Sequence, residues 1–370
     1  MSDYIGLMSG TSLDGVDAAL VRFSGIKPEI IGSYYYRFNP ELRTRLKSLC
    51  YQSTAELLEL GSLDTELGNI FAQCINTLLL KTNTNPNAVT AIGSHGQTIF
   101  HSPLLKHPFS LQIGNPNQIS KLTGIPVVTD FRRADIAVGG QGAPLVPAFH
   151  KAIFQTDQEN RVILNIGGIA NITVLPKTDT SPVIGFDTGP GNTLLDSWIL
   201  KHKNKPFDEN SCFGRAGNVC PDMLANMLKD QYFSQPAPKS TGQEHFSMQW
   251  LDTYIRDRQQ PVIAADVQAT LYELTATTIA DAIHTTAPET HRILVCGGGI
   301  HNPMLMEKLT SKLPQYSIES TETLGINPDW VEAMAFAWLA YCFVQKIPGN
   351  LPSVTGALRP VVLGGHYLPD

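Results

Sequence analysis

The spacing of apolar residues along the chain predicts alternating strands and helices, which is typical of an α/β protein. Short apolar runs that end in glycine-containing turns predict strands, and these runs begin near Tyr4, Arg161 and Arg292. Between residues 54 and 81, apolar side chains recur at the helical period, at positions 60, 63, 67, 70, 71, 74, 75 and 78. Further helices are predicted from Asp266 and from near Val331, and a last strand at residues 360–363.

The turn between the first two predicted strands is small, polar and contains two glycines. We single out eight of its residues as candidate contacts to phosphate groups: Gly10, Thr11, Ser12, Leu13, Asp14, Gly15, Val16 and Asp17. Glycines let the backbone approach a ligand, main-chain N–H groups can cradle a phosphate, and carboxylates can hold a metal ion or a water. An ordinary tight turn would explain the same residues equally well.

Two later turns resemble the first, and both are predicted to contact a nucleotide. The candidates there are Gly167, Gly168, Asn171, Gly297, Gly298, Gly299 and Asn302. Asn302 suits the N-cap of a helix that has Pro303 in its first turn. Because such glycine turns recur along the chain, the sequence indicates an internal duplication that closes on one nucleotide.

Two further clusters suggest contacts to a substrate. His95 and Gln97 follow a predicted buried strand, and open α/β sheets bind ligands at the carboxyl ends of their strands. Arg132 lies beside carboxylates, and its planar fork also suits the carboxylate of a substrate. A histidine satisfied within the core and a simple ion pair are the alternative explanations.

Two acidic residues are candidates for catalysis. A predicted strand at residues 183–186 runs into Asp187, which would face the N-terminus of a helix at 193–200, where the helix dipole favours anions. Asn192 is the more natural cap of that helix, which leaves Asp187 for a chemical role. Glu332 lies at capping-box distance from Asp329, so a reciprocal cap and a catalytic role are both open.

The length of 370 residues favours two domains over a single core. We predict domains at residues 1–130 and 131–370, with a helix at 331–345 packed at the cleft between them. The density of glycine and proline from residue 139 to 147 marks the crossing. One motif stays unassigned: Lys239-Ser240-Thr241 resembles part of a P-loop, but the required earlier glycine is missing, so the role of residues 236–246 is open.

The composition excludes several classes of protein. A net charge of −6 without a cluster of lysine or arginine argues against binding to nucleic acid or to a membrane surface. The six cysteines contain no C-x-x-C pair, which predicts buried free thiols rather than a zinc site. The apolar stretch at 331–344 is well short of the ~20 residues that a membrane span needs. The first predicted strand leaves no room for a signal peptide, so we expect a cytoplasmic protein.

These motifs resemble those of the anhydro-N-acetylmuramic acid kinases of bacterial cell-wall recycling, over essentially the whole chain. The resemblance rests on residues 8–17, 96–98, 130–133, 139–147, 165–171, 187–192, 238–242, 296–299 and 332–338. It implies an α/β protein with the two-domain actin-like ATPase fold, a duplicated ribonuclease-H-like fold with an interdomain cleft.

The resemblance also implies an activity and its participants. The family phosphorylates 1,6-anhydro-N-acetylmuramic acid with ATP and water, which gives N-acetylmuramic acid 6-phosphate. By this resemblance and its placement, Asp187 is expected to activate the water, with Glu332 as a second carboxylate near it. ATP is expected with magnesium, for which we name no direct ligand, and the family implies a homodimer. The expected contacts to the amino sugar are His95, Gln97, Arg132 and Gly189.

Two other functions stay open at this point. A kinase of the same superfamily could act on an ordinary hydroxyl or carboxylate, as in a hexose or acetate. An ATP-switched binding protein of the Hsp70 type is disfavoured, because no separate peptide-binding domain follows the nucleotide core. A dehydrogenase is disfavoured as well, because no predicted strand leads into a G-x-G-x-x-G turn.

Overall fold

The computed structural model describes residues 1–50, 54–178, 181–256 and 261–370. Its strands, in chain order, are β1 (Ser2–Ser9), β2 (Gly15–Ser24), β3 (Lys27–Arg37), β4 (Val89–Ser102), β5 (Phe109–Ile113), β6 (Val127–Thr129), β7 (Arg161–Ile166), β8 (Ile169–Leu175), β9 (Ile184–Pro190), β10 (Arg292–Cys296), β11 (Ser317–Ser320) and β12 (Gly365–Tyr367). These strands belong to two separate sheets.

The α-helices vary from single turns to more than six turns. In chain order they are α1 (Pro40–Cys50), α2 (Leu57–Thr82), α3 (Pro116–Thr123), α4 (Phe131–Ile136), α5 (Val146–Phe154), α6 (Thr193–Lys203), α7 (Cys212–Arg215), α8 (Pro221–Met227), α9 (Gln231–Ser234), α10 (Met248–Arg256), α11 (Ala264–Thr286), α12 (Pro303–Lys312), α13 (Val331–Gln345) and α14 (Pro352–Thr355). Within the described ranges, no helix is both long and apolar enough to cross a membrane.

The chain divides into two compact units. Unit 1 contains residues 1–153 and 330–370, and unit 2 contains residues 154–329. The predicted division at residue 130 differs from this one, because residues 131–153 and the C-terminal residues make most of their contacts within unit 1. Helix α13 packs on β1, β4 and β2, which are all strands of unit 1.

The two units repeat one strand order, which supports the duplication indicated by the sequence. In unit 1 the sheet runs β12-β6-β4-β1-β2-β3, with β5 paired to β4, and in unit 2 it runs β11-β10-β7-β8-β9. In both, three antiparallel strands lie beside strands that run parallel to the first of them, β4 beside β1 and β10 beside β7. The first turn between β1 and β2 therefore corresponds to the glycine turn between β7 and β8.

The sheet of unit 1 is covered closely by α13. A side chain at Gly6 or Gly93 would overlap with main-chain carbonyls of Ala333 or Phe336. Glycine at these two positions therefore lets the helix backbone approach β1 and β4 directly. The helix is buried nearly all round, which explains why its sequence is apolar without a polar stripe.

Most of the predicted elements are confirmed, with some bounds shifted. The predicted helix at 54–81 is α2, which begins at Leu57, and the helix predicted from Asp266 is α11. The strand predicted at 360–363 is wrong, because the chain there is irregular and the last strand is β12, which pairs with β6. All six cysteines are free, and four of them are buried.

Candidate functional sites in the two units

In unit 1, the turn between β1 and β2 presents an exposed polar tip. Thr11, Ser12 and Asp14 are exposed, and the Ser12 hydroxyl donates to Asp14 Oδ1 across 2.6 Å. A side chain at Gly10 would have open space around it, since its nearest neighbour would be Ser12 Oγ at 3.9 Å. The turn therefore leaves room for a ligand above Gly10.

The other residues of this turn support it from below. Leu13, Gly15 and Val16 are buried, and a side chain at Gly15 would overlap with Tyr35 and with the carbonyl of Tyr36. The side chains of Leu13 and Val16 therefore pack in the hydrophobic core. A ligand bound at this turn would contact the main chain of these two residues and not their side chains.

The carboxylates of Asp14 and Asp17 make the turn electronegative. The pKa of the neighbouring Tyr35 is raised to about 12, first by its burial and then by the charges of Asp14 and Asp17. These carboxylates would repel a bare phosphate, whereas Arg43, which donates from Nε to the carbonyl of Leu13 across 3.1 Å, brings a positive charge to the same turn.

Gln97 supports the turn. Its side chain is buried, and its Oε1 lies 2.6 Å from the Ser9 hydroxyl, which is also 2.9 Å from the carbonyl of Gly15. Its direct contact with a substrate stays a prediction.

His95, Arg132 and Glu332 come together in unit 1. Arg132 donates from Nε to His95 Nε2 across 3.0 Å and from Nη1 to the carbonyl of Gly142 across 2.8 Å. Burial lowers the pKa of Arg132 to about 10, and the carboxylate of Glu332 acts against this lowering. The contact with Gly142 could not be predicted from sequence, because it depends on the path of the loop after α4.

Glu332 does not take part in the predicted capping box. The residue before α13 is Trp330, which makes no side-chain cap, and Asp329 instead pairs through Oδ1 with Nε2 of His301 across 2.7 Å. Glu332 lies in the first turn of α13, where the helix dipole favours a negative charge. The reciprocal cap is therefore wrong, and the catalytic role of Glu332 stays a prediction.

In unit 2, the glycine turn between β7 and β8 is tied to the start of α6. The main-chain N–H groups of Gly191 and Thr193 donate to the carbonyl of Gly168, and that of Asn192 donates to Gly167. The Asn192 side chain does not cap α6 but donates to the carbonyl of Ile166 across 3.2 Å. The N–H groups at the start of α6 therefore donate to carbonyl groups of the protein and are not available to an anion. The predicted anion site at this helix start is not supported.

Asp187 lies in β9, opposite Asn171 of β8, and Asn171 in turn lies opposite Asn165 of β7. Directly opposed residues of antiparallel strands present their side chains on one face of the sheet. The register thus brings a predicted catalytic residue beside a predicted nucleotide contact. It also adds Asn165, which the sequence analysis missed because cross-strand pairing cannot be read from spacing within one strand.

The carboxyl group of Asp187 is held on one side only. Thr241 donates its main-chain N–H to Oδ2 across 3.0 Å, whereas Oδ1 accepts no hydrogen bond from the residues that the structure describes. Burial raises the pKa of Asp187 to about 6, the Thr241 hydrogen bond opposes this effect, and the charge of Glu244 adds to it. A carboxyl group with such a pKa is ionised near neutral pH and basic enough to take a proton.

The triple glycine after β10 divides into packed and open positions. A side chain at Gly297 would overlap with Asn165 Oδ1, and one at Gly299 would overlap with Ile166. Gly298 is exposed, and a side chain there would meet nothing within 4 Å. Gly298 is therefore the position of the three where a ligand has most room.

Asn302 confirms the predicted N-cap but uses its side chain within the protein. Oδ1 accepts from the N–H of Leu305 at 3.3 Å and from the Ser211 hydroxyl at 2.6 Å, and Nδ2 donates to the Tyr272 hydroxyl at 2.8 Å.

Gly189 is also closely packed, with its Cα facing the ring of Phe233. Contacts from Asn302 and Gly189 to a ligand stay predictions.

The repeated sheet and its glycine turns define the class of protein. The strand order and the repeated turn are those of the actin-like ATPase fold. Component A of the (R)-2-hydroxyglutaryl-CoA dehydratase of Acidaminococcus fermentans shares the fold, with a TM-score of 0.51 at 10% identity over 94% of this chain and 100% of that one.

The model of the anhydro-N-acetylmuramic acid kinase family matches residues 2–369. The anhydro-N-acetylmuramic acid kinase of Pasteurella multocida (strain Pm70) is 50% identical over 366 residues, which cover 98% of this chain and 96% of that one. The enzyme of the same name from Shewanella oneidensis is 50% identical over 364 residues, or 98% of each chain. The chain therefore belongs to the anhydro-N-acetylmuramic acid kinase family, and it is a phosphotransferase.

Proposed function

We propose that this chain phosphorylates 1,6-anhydro-N-acetylmuramic acid with ATP while a water opens the anhydro bridge, in the recycling of peptidoglycan. The product is N-acetylmuramic acid 6-phosphate. Membership of the family supports the substrate and the ATP dependence. We also retain the cytoplasmic location and the homodimer as proposals.

The proposed mechanism rests mainly on the raised pKa of Asp187 and on the hydrogen bonding of its carboxyl group. The 6-oxygen of the anhydro sugar is bound to the anomeric carbon, so no free 6-hydroxyl exists for an ordinary kinase reaction. A water must lose a proton and attack the anomeric carbon, the bond from that carbon to the bridge oxygen must break, and that oxygen must take the γ-phosphoryl group of ATP. Asp187 has a pKa raised to about 6, and its Oδ1 accepts no hydrogen bond within the described ranges, so it is suited to receive the proton of the water.

The phosphoryl group replaces the general acid of a glycosidase. In ordinary glycoside hydrolysis a protonated carboxyl group must stabilise the leaving oxygen. Here the transferred phosphoryl group neutralises that oxygen as it leaves, so one base suffices in principle. Glu332, in unit 1, is retained as a second candidate carboxylate whose contribution must be measured separately.

Magnesium fits the first turn of unit 1. The described residues include no cluster of three metal-ligating side chains, which agrees with an ion held by one or two carboxylates together with phosphate oxygens and waters. Asp14 and Asp17 would hold it, because they make the turn electronegative. When bound, the ion supplies positive charge that offsets the charge of the phosphates.

The remaining residues of the proposed site bind and orient the substrates. Gly10 and Gly298 have room for close approach of a nucleotide. Arg132 is proposed to bind the lactyl carboxylate of the sugar, because a guanidinium suits a carboxylate and this one is half-buried and charged.

A sugar-phosphate assay tests the proposed function directly. The purified chain is supplied with ATP and magnesium, together with either the anhydro sugar or N-acetylmuramic acid, its open form. We expect 6-phosphate product from the anhydro sugar and little from the open sugar. A preference for the open sugar, or for glucose or acetate offered in parallel, would show instead a kinase that acts on an ordinary acceptor group.

A further inference from the structure

Residues 230–246, here named the bracing segment, cover the outer edge of β9 at Asp187. The N–H of Asp187 donates to the carbonyl of Lys239 across 3.1 Å, and the Tyr232 hydroxyl donates to the carbonyl of Asp187 across 2.6 Å. With the bond from Thr241 to Oδ2, three of the four polar atoms of Asp187 are held by this one segment. None of the residues that the structure describes donates a hydrogen bond to Oδ1, so this atom is available for a reaction.

Lys239 closes the bracing segment on itself. Its ammonium donates to the carbonyls of Tyr232 and Phe233, at 3.0 and 3.1 Å, and lies 4.7 Å from the centre of the Tyr232 ring. These contacts explain the lysine that resembled part of a P-loop. The Lys239 ammonium therefore makes its contacts within the protein. Because Lys239 lies two residues before Thr241, these contacts connect the part of the segment near Tyr232 to the part near Thr241.

The segment is also anchored at its base. Asp230 accepts hydrogen bonds from the Tyr232 N–H at 2.9 Å and from Trp250 Nε1 at 2.7 Å, and it pairs with His245 at 3.1 Å. The ring of Tyr232 packs edge-on against the fully buried Phe246, with centroids 5.6 Å apart. Tyr232 is therefore fixed at both its ring and its hydroxyl.

We propose that Tyr232 and Lys239 are positioning residues for the catalytic base, which hold Asp187 so that Oδ1 faces the reacting water. This inference rests on the proposed function of Asp187. Placement of a reacting group within a fraction of an ångström accounts for large rate factors in enzymes, so a loosened brace must lower turnover even though neither residue touches a substrate.

The test compares Tyr232→Phe and Lys239→Met with matched controls. Tyr254→Phe makes the same change in the adjoining aromatic cluster, where Tyr254 packs on Trp250, and Lys229→Met removes a nearby exposed lysine. We expect kcat to fall about 10-fold or more in the two bracing variants, with ATP affinity by calorimetry unchanged. Both controls should keep normal kcat, and Lys239→Arg should restore part of the activity that Lys239→Met loses.

The pH profile separates positioning from a merely structural role. The groups that set the pKa of Asp187 are its burial, the N–H of Thr241 and the charge of Glu244, of which burial is the largest. A loosened segment admits water to the carboxyl group, so the acid limb of kcat/KM should move from about pH 6 towards lower pH. The controls should leave the limb in place.

The outcomes distinguish this inference from the proposed function. If Asp187→Asn is inactive but both bracing variants keep normal kcat and an unmoved acid limb, the positioning role is wrong and the base assignment stands. A loss of kcat that follows a fall in melting temperature, with the limb unmoved, also overturns the positioning role. Normal turnover in Asp187→Asn overturns the base itself.

Discussion

Arg132 donates from Nε to Nε2 of His95 across 3.0 Å, and this contact fixes the protonation state of the histidine. A guanidinium has donors only, so Nε2 must accept and the ring proton must reside on Nδ1. The pKa of His95 is lowered to about 3, first by its burial and then by the charge of Arg132. His95 is therefore a neutral support for Arg132 rather than an acid or a base.

Replacement of Arg132 by lysine should weaken sugar binding selectively. A lysine cannot contact both His95 Nε2 and the Gly142 carbonyl while it presents a fork to a carboxylate. We expect the KM for the anhydro sugar to rise about 10-fold or more, with the affinity for ATP unchanged. The matched control is Arg133→Lys, since Arg133 is exposed and pairs only with Asp130 at the surface. Equal effects of the two changes, or an unchanged KM in Arg132→Lys, would remove Arg132 from the sugar site.

Asp187→Asn should abolish most turnover and yet stabilise the protein. Loss of the base should lower kcat by roughly 10²–10⁴-fold, while ATP still binds. Because the folded state raises the pKa of Asp187 from 3.8 to about 6, its ionisation opposes folding, at a cost on the order of 3 kcal/mol above pH 6. The variant should therefore melt at a higher temperature than the native chain at pH 7.5.

The sign of this stability effect can be checked by pH. Below about pH 4 the carboxyl group is protonated in both the folded and the unfolded chain, so the advantage of asparagine should vanish there. Between pH 4 and 6 the advantage should grow as pH rises. A variant that is less stable than the native chain at pH 7.5 would show that the ionised carboxylate stabilises the fold, and would contradict the raised pKa of Asp187.

Features that depend on short stretches of sequence were predicted correctly, whereas features that depend on contacts between residues far apart in sequence were not. The duplication and the glycine turns follow from short patterns, but Asp187, which was expected at the end of a strand, lies within β9, because that strand continues to Pro190. The capping box failed because His301, far along the chain, takes the carboxylate of Asp329. The bracing segment was left open because its bonds to Asp187 join residues about fifty positions apart, without apolar periodicity to mark them.

Glu332→Gln tests whether this carboxylate takes part in the reaction. A capping residue would cost about 1 kcal/mol of stability when removed, whereas a residue of the reaction would cost turnover. Since Trp330 and Asp329 make no capping box with it, we expect kcat to fall with little change in melting temperature. Normal kcat with a lowered melting temperature would assign Glu332 to the support of α13 instead.

Paired glycine substitutions test where the nucleotide lies. Gly10→Ala and Gly298→Ala place a methyl group in open space, so both should fold normally and weaken ATP binding measured by calorimetry. Gly15→Ala and Gly299→Ala force a methyl group into Tyr35 and Ile166, so both should lose about 1–3 kcal/mol of stability. Normal ATP affinity in either variant of the first pair would exclude that turn from the nucleotide site.

The fate of water oxygen distinguishes this reaction from that of an ordinary sugar kinase. If Asp187 activates a water against the anomeric carbon, reaction in ¹⁸O-labelled water should place the label on the anomeric hydroxyl. The phosphate ester oxygen should stay unlabelled, because it comes from the broken bridge. Attack opposite the bridge should give the inverted anomer first, as in inverting glycosidases.

Without ATP the ring should stay closed, because no other group in this mechanism stabilises the leaving oxygen. Label in the ester oxygen, or ring opening without nucleotide, would refute the coupled reaction and favour separate hydrolysis.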